Sequence, residues 1–336
     1  MHQRDLPWRK SKDPYLIWLS EIIMQQTRIA QGTSYFEKFS EEYEDVFALA
    51  RADEKEVLNH WQGLGYYSRA RNLLSTARLI VDHHGGNFPD QYKELIKLKG
   101  IGDYTASAIA SIAFDQPHAT VDGNVYRVLS RFFGLSTPIN DSKGPKEFKA
   151  LAQQLLDKED PGTHNQALME FGALVCVPKN PDCSNCVLNE SCYALQHKKV
   201  GQLPVKLKKL KIKNRNFNFI VLNVKGESTF IRQRKNKDIW QHLYEFPLFE
   251  TSQTLTDDAA IKDLVAKEFD LQGAYTLKKV NHNPVVHKLT HQTLYASFWV
   301  IETDENLANT VTWEGLDQYA MPVLLQNFVD KYQGLK

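Results

Sequence analysis

Cysteine is scarce, four in 336 residues, and all four fall between positions 176 and 192. No disulfide framework can therefore staple the rest of the chain. Long hydrophobic runs are missing: the longest, around 109–114, fall far short of the roughly 18 residues that cross a bilayer. The start, MHQRDLPWRK, has no apolar signal core. These absences predict a soluble cytoplasmic protein without a membrane partner. Excess charge of one sign is also lacking, since 41 Lys+Arg face 40 Asp+Glu, so the global balance gives no hint of a polyanionic partner. With only 17 Gly and 13 Pro, collagen-like and low-complexity chains are excluded. What is present, 42% hydrophobic and 24% charged residues, suits about two folded domains at roughly 150 residues each.

The charges are unevenly placed. Lys198, Lys199, Lys206, Lys208, Lys209, Lys211, Lys213 and Arg215 form a basic stretch without an acid, whereas 256–270 is rich in Asp and Glu. Such a stretch reads as a solvated linker or, more sharply, as a segment that tracks phosphates. Before it, apolar residues recur at helical spacing, as in Leu16/Leu19/Ile23, Leu73/Ala77/Ile80 and Leu129/Phe132/Phe133. After it come β-branched and aromatic runs at 217–224, 229–232 and 294–301, with helices expected near 258–269 and 321–332. The expected architecture is multidomain: an all-α domain at 1–195, a basic linker at 196–215 and an α+β domain at 216–336.

Cys176, Cys183, Cys186 and Cys192 have the spacing C-x6-C-x2-C-x5-C in an irregular segment holding Pro178 and Pro181. Four thiols concentrated in one loop point to metal ligation. Zinc favours two close pairs and only Cys183/Cys186 forms one, so the spacing leaves iron-sulfur and zinc both open.

Three further features carry chemistry. The turn Gly100-Ile101-Gly102 separates a short helix from an Ala-rich one. It reads as a plain helical hairpin or as a phosphate seat at a helix N-terminus. Glu21 interrupts the apolar stretch Trp18-Leu19-Ser20-Glu21-Ile22-Ile23-Met24 on a face shared with Ile17 and Met24. A carboxyl there loses solvation and holds its proton more readily, as a general acid must near neutral pH, although a buried Glu satisfied by neighbours fits the pattern too. Asp122 opens the helix that runs to Phe133 and has the place of an N-cap, which leaves it available as the second member of a carboxylate pair.

In combination these features resemble the helix-hairpin-helix DNA glycosylase superfamily, and within it the adenine DNA glycosylases. The motifs are LPWR at 6–9, WLSEIIMQQTR at 18–28, GLGYYSRARNL at 63–73, LKGIGDYTASAI at 98–109, VDGNVYRVLSR at 121–131, NQALMEFGALVC at 165–176 and the four-cysteine loop at 176–192. The resemblance implies one 4Fe-4S cluster on the cysteines. It also implies removal of adenine opposite 8-oxoguanine or guanine in duplex DNA, which initiates base excision repair and prevents G:C to T:A mutations. Glu21 would protonate the flipped adenine and later assist water, and Asp122 would stabilise the oxocarbenium-like sugar. Tyr104 stands where strand-cutting relatives carry Lys, and a phenol cannot form a Schiff base, so base removal without a lyase step is expected. Asn124 would help to hold the pocket, and Trp8 and Arg9 would edge it. Gln26 and Tyr66 match residues that fill the gap left by the extruded base, and Gly100 and Gly102 would seat a phosphate. Lys99 departs from the Pro of many relatives.

The second domain resembles the Nudix-like recognition domain of the same family. No Arg-Glu-x-x-Glu-Glu follows Glu245-Phe246-Pro247, which argues against pyrophosphate hydrolysis. Leu289-Thr290-His291 stands where the family reads the oxidised guanine with Phe-Ser-His, so Thr290 keeps a hydroxyl and His291 is retained. A nicking endonuclease III-like enzyme is opposed by Tyr104 and by the second domain. A silent mispair-binding protein is opposed by Glu21 and Asp122. The expected protein is a monomer associated with the nucleoid.

Overall fold

The computed structural model describes residues 4–207, 212–255, 258–269 and 271–333. Lys208, Lys209 and Lys211 of the basic stretch lie outside the described residues. By contacts the chain divides into two units, 4–53 with 69–207 and 54–68 with 212–333.

The first unit is helical, as its periodicity predicts. In chain order its elements are α1 (Pro14–Met24), α2 (Ile29–Glu42) and α3 (Val46–Arg51); α4 (Glu54–His60) belongs to the second unit. Then come α5 (Ser68–His84), α6 (Tyr92–Leu95), α7 (Asp103–Ala113), α8 (Gly123–Phe133), α9 (Gly144–Leu155), α10 (Pro161–Leu174) and α11 (Tyr193–Gln196). Aspartates set several helix starts by accepting otherwise unpaired N–H groups: Asp13 from Tyr15, Asp45 from Ala48, and Asp160 from Thr163. Pro14 and Pro161 occupy first turns that need no N–H donor. Helix α1 buries Tyr15, Ile17, Trp18, Leu19, Ile22 and Ile23, so it is enclosed on nearly every side. It packs on α7, whose Ala106, Ala108 and Ala110 are fully buried. A Cβ at Gly172 of α10 would lie 2.7 Å from Asn124 Cβ and 2.9 Å from its carbonyl. Only glycine lets α10 approach the start of α8 this closely.

The second unit is α+β. Its strands are β1 (Lys213–Val224), β2 (Ser228–Phe230), β3 (Arg232–Gln233), β4 (Tyr244–Glu245), β5 (Leu248–Thr251), β6 (Tyr275–Lys279), β7 (Val285–Lys288), β8 (Gln292–Thr303) and β9 (Thr310–Thr312). Its helices besides α4 are α12 (Asp258–Glu268) and α13 (Val323–Gln333). β1 and β8 run parallel from Lys213↔Gln292 to Val224↔Thr303. Antiparallel partners flank them: β5 and β2 on β1, and β7 and β6 on β8. Phe217, Phe219, Val221, Leu294, Ala296, Phe298 and Val300 pack with Leu324, Leu325 and Phe328 of α13. Ile220, Leu222, Trp299 and Ile301 point the other way and pack with Ile261 and Val265 of α12. Burial on both faces explains why these strands read as continuous apolar runs.

Arg215 departs from the linker reading. It lies in β1, buried, where it pairs with Asp238 at 2.8 Å and Glu250 at 2.6 Å. Those hydrogen bonds push its pKa up and, despite burial, hold Asp238 down to about 2.

Segment 54–68 groups with the second unit although its sequence neighbours are helices of the first. Lys55 Nζ lies 3.9 Å from the centre of the Tyr319 ring, and Asn59 Nδ2 donates to the Gln318 carbonyl at 2.9 Å. Glu54 meets His242 Nδ1 at 2.5 Å.

Candidate active site

The first unit holds a cavity of about 220 Å³, and α1, α7, α8 and α10 together with the entering segment 4–9 supply its walls. Glu21, Tyr104, Asp122, Asn124, Trp8 and Arg9 all line it, so six of the sequence-selected residues meet in one place. Ile17 and Met24 line it beside Glu21, as expected of one helical face.

Glu21 sits one turn from the end of α1, a helix with no exposed residue. Loss of solvation there raises its pKa to about 7, against a hydrogen bond from Tyr104; the negative charge of Asp122 adds to the rise and Arg9 opposes it. The Tyr104 phenol is held well above its ordinary pKa by burial and by the two carboxylates. It stays protonated and also points at Met169 Sδ, 3.4 Å away.

Asp122 caps α8 as predicted. Its Oδ1 accepts from the backbone N–H groups of Asn124 and Val125, both at 2.8 Å, and its Oδ2 accepts from Asn124 Nδ2 at 2.7 Å. Burial nonetheless raises its pKa, opposed by those three hydrogen bonds. The Asn124 side-chain Oδ1 in turn accepts from Arg127 Nη2 at 2.8 Å, and Arg127 also donates to the backbone carbonyls of Gly172 at 2.6 Å and Cys176 at 2.7 Å. Asp122 is thus fixed through Asn124 by a buried cation.

Segment 4–9 is clamped from α10, by a residue that was not singled out in the sequence. Glu170 is buried on α10 and accepts from Arg4 Nε at 2.8 Å, Arg4 Nη2 at 2.5 Å and Arg9 Nη2 at 2.8 Å. An acid inside the apolar run LMEFGALV was the available hint. Its bonds to Arg4 and Arg9 outweigh burial and hold it at about 2. A carboxylate depressed below its unfolded value contributes stability above the unfolded pKa of about 4.3 and loses it as pH falls through the folded pKa. Thermal melts from pH 6 to 2 are therefore expected to show a loss in the native protein that is smaller in Glu170→Gln; parallel melting curves would remove the clamp from the stability balance.

The four cysteines line a second cavity in this unit, with Val128, Phe132, Phe171 and Leu188. Arg131 Nη1 donates to Cys176 Sγ at 3.4 Å and to the Val177 carbonyl at 2.8 Å, while Nη2 donates to the Pro178 carbonyl at 3.0 Å. Cys192 Sγ donates to the Arg131 carbonyl at 3.6 Å. Among the described residues no three Cys, His, Asp or Glu converge tightly enough to hold a single metal ion. A tetrahedral zinc needs four thiolates each at about 2.3 Å. Burial and the charges of Cys176, Cys192 and Cys186 raise the Cys183 thiol pKa. Four thiols lining one cavity are a donor set that fits an iron-sulfur cluster. Arg127 and Arg131, four apart on α8 and both buried, are the positions that sequence reasoning passed over. Their R-x3-R spacing within a helix signature was the trace available.

Gln26 does not line the cavity, and Tyr66 belongs to the second unit. Both are exposed and both have left-handed backbone, at φ 57 and 49. Non-glycine residues seldom adopt that conformation, and where they do the surrounding structure enforces it. Within the second unit the Tyr66 hydroxyl is hydrogen-bonded to Thr290 Oγ1. Thr290 and His291 are exposed at the β7–β8 turn, while Leu289 packs against the core. Of the two hairpin glycines only Gly100 is left-handed, at φ 81, and a Cβ there would lie 2.8 Å from Asn72 Cβ. Gly102 is the N-cap of α7 and a Cβ on it would meet nothing within 4 Å.

Residues 19–158 match the HhH-GPD superfamily base excision DNA repair protein family, and 218–331 match the NUDIX domain family. An adenine DNA glycosylase of Buchnera aphidicola subsp. Schizaphis graminum is 35% identical over 74% of this chain and 72% of its own. That of Buchnera aphidicola subsp. Baizongia pistaciae is 35% identical over 89% of this chain and 82% of its own. The chain belongs to the adenine DNA glycosylase family. Among solved structures, a thermostable thymine-DNA glycosylase is 31% identical and covers 58% of this chain and 89% of its own, with a TM-score of 0.54. Membership in the adenine DNA glycosylase family makes the protein a base-excision-repair glycosylase, a hydrolase of N-glycosyl bonds, with a helix-hairpin-helix catalytic domain and a Nudix-like domain. Among the described residues no helix is long and apolar enough to cross a membrane.

Proposed function

We propose that the protein removes adenine paired with 8-oxoguanine or guanine in duplex DNA by hydrolysis, without cutting the strand. The observation that carries this reading is the pair of carboxylates in one cavity, one of them buried so that its pKa is about 7. Adenine leaves poorly as an anion. Glu21 gives its proton to the extruded base, the C1′–N9 bond breaks with its electrons going to the base, and a sugar cation forms. Asp122, ionised and oriented by three hydrogen bonds, stabilises that cation. Water attacks C1′, and the Glu21 carboxylate takes its proton and is restored. The products are free adenine and an abasic site. Tyr104 favours the ionised Glu21 by hydrogen bonding and offers no amine for a Schiff base.

Cys176, Cys183, Cys186 and Cys192 would hold a 4Fe-4S cluster, whose part here is to supply charge and shape to the loop, since hydrolysis transfers no electrons. Trp8 and Arg9 border the adenine. Gln26 and Tyr66 enter the space on the opposite strand, Thr290 and His291 face the opposite base, and Gly100 and Gly102 take a phosphate. The protein acts as a monomer in this reading, since clamping the DNA needs no second copy of the chain. The same reading places the protein with the nucleoid and divides the chain at the basic stretch.

The test is a single-turnover assay on duplexes with A opposite 8-oxoguanine, G, T or C, with and without alkali. Alkali-dependent breaks at A opposite 8-oxoguanine or G are expected. Breaks without alkali, or none on any duplex, would overturn the reading. A general acid must be protonated to act, so the rate is expected to hold below pH 7 and to fall about tenfold per pH unit above it. A rate that is flat from pH 6 to 9 would remove Glu21 as the acid.

A further inference from the structure

We propose that Arg69 is the positioning residue that displays Gln26, and that it acts on the opening of paired DNA rather than on bond cleavage. This rests on the proposed function, in which Gln26 enters the opposite strand.

Helix α1 ends at Met24, and the chain reverses through Gln25 at φ −57, ψ 112 and Gln26 at φ 57. The last turn of any helix leaves carbonyls without helical donors, and they form its negative pole. Arg69, buried on α5, meets that pole. Its Nη1 lies 2.9 Å from the Ile22 carbonyl, 2.9 Å from Ile23, 2.7 Å from Gln25 and 3.4 Å from Thr27 Oγ1. One cation therefore grips both the end of the helix and the turn on either side of Gln26. Gln25 Nε2 adds a tie to Thr105 Oγ1 of α7 at 3.3 Å. A left-handed, solvent-exposed glutamine persists only when its surroundings enforce it, and the Arg69 guanidinium supplies that constraint. Lysine keeps the charge but its stem places the nitrogen one bond short of the position that Nη1 occupies. Glu21 lies a turn earlier, within the regular part of α1 and against Tyr104, so the chemistry is held by other contacts.

The experiment compares the protein with Arg69→Lys, Gln26→Ala and the double variant on two substrates: adenine paired with G, and adenine as a single unpaired bulge, which needs no base pair opened. Arg69→Lys and Gln26→Ala are each expected to slow single-turnover excision from the pair about tenfold. The bulge should change less than about twofold, the double variant should be no slower than Gln26→Ala alone, and the alkaline limb near pH 7 should stay put. Equal slowing on both substrates, multiplying effects in the double variant or a displaced limb would overturn the inference while leaving the glycosylase reading intact. An inactive native protein would overturn both. Should Arg69→Lys fail to fold, Gln25→Leu removes the tie to Thr105 and must show the same preference for slowing the pair; equal slowing of both substrates by it overturns the inference.

Discussion

Glu21→Gln is expected to abolish excision, with a loss of at least about 10³-fold in single-turnover rate, while affinity for mispaired duplex is retained. General acid catalysis contributes roughly 10²–10⁴-fold, and here one residue both gives the proton and recovers it from water. The same change should alter stability in a way that separates chemistry from misfolding. A carboxyl whose folded pKa is raised to about 7 costs stability progressively as pH rises above the unfolded value of about 4.3, and each tenfold weakening of its acidity corresponds to roughly 1.4 kcal/mol. Glu21→Gln is therefore expected to raise the melting temperature at pH 8, by an amount reflecting up to roughly 3 kcal/mol, and to leave it nearly unchanged at pH 4, where Glu21 holds its proton in the folded and the unfolded chain alike. Melts at both pH values beside DNA-binding assays check this. A destabilised variant at pH 8, or one with more than about a tenth of native activity, would contradict the burial argument or the acid role respectively.

Asp122 carries two loads that substitution can separate. Asparagine can still accept from the N–H groups of Asn124 and Val125 and so keeps the cap, but it cannot offer negative charge to the sugar. Asp122→Asn is expected to lose about 10²–10³-fold in rate, the scale of removing one preorganised electrostatic group, with little change in melting temperature. Asp122→Ala should lose similar activity and a further ~1 kcal/mol of stability as the cap disappears. Equal melting temperatures for the two variants would mean that the cap contributes nothing. Residual activity near native in Asp122→Asn would mean that its charge does not.

The helical first unit and the mixed second unit were legible in the sequence because their periods are local: apolar spacings of three and four before the basic stretch, continuous β-branched runs after it. The short strands β3, β4 and β9 were not legible, since two or three residues carry no period and depend on pairing with distant partners. Glu21 could be singled out because an acid in an apolar run is anomalous wherever it folds, and Asp122 because an N-cap is a neighbourly feature. Glu170 was different. Its partners Arg4 and Arg9 are some 160 residues away, so nothing local reveals that it anchors the segment forming one wall of the cavity.

Arg215 shows the opposite error. Chain composition groups it with a solvated basic stretch, but β1 begins at Lys213 and buries it among acids. Segment 54–68 makes the same point at larger scale, since chain continuity joins it to the helices on either side and spatial contacts group it with the second unit. By itself the sequence determined the residue types that do chemistry and the spacing of the four thiols, because both are set within a few turns of chain. Only the tertiary structure decided which carboxyl is raised, which is clamped low, and which cations hold Asp122 and the turn at Gln26. Those outcomes depend on desolvation and on hydrogen-bond partners brought from distant positions, and both come into being only when the helices pack.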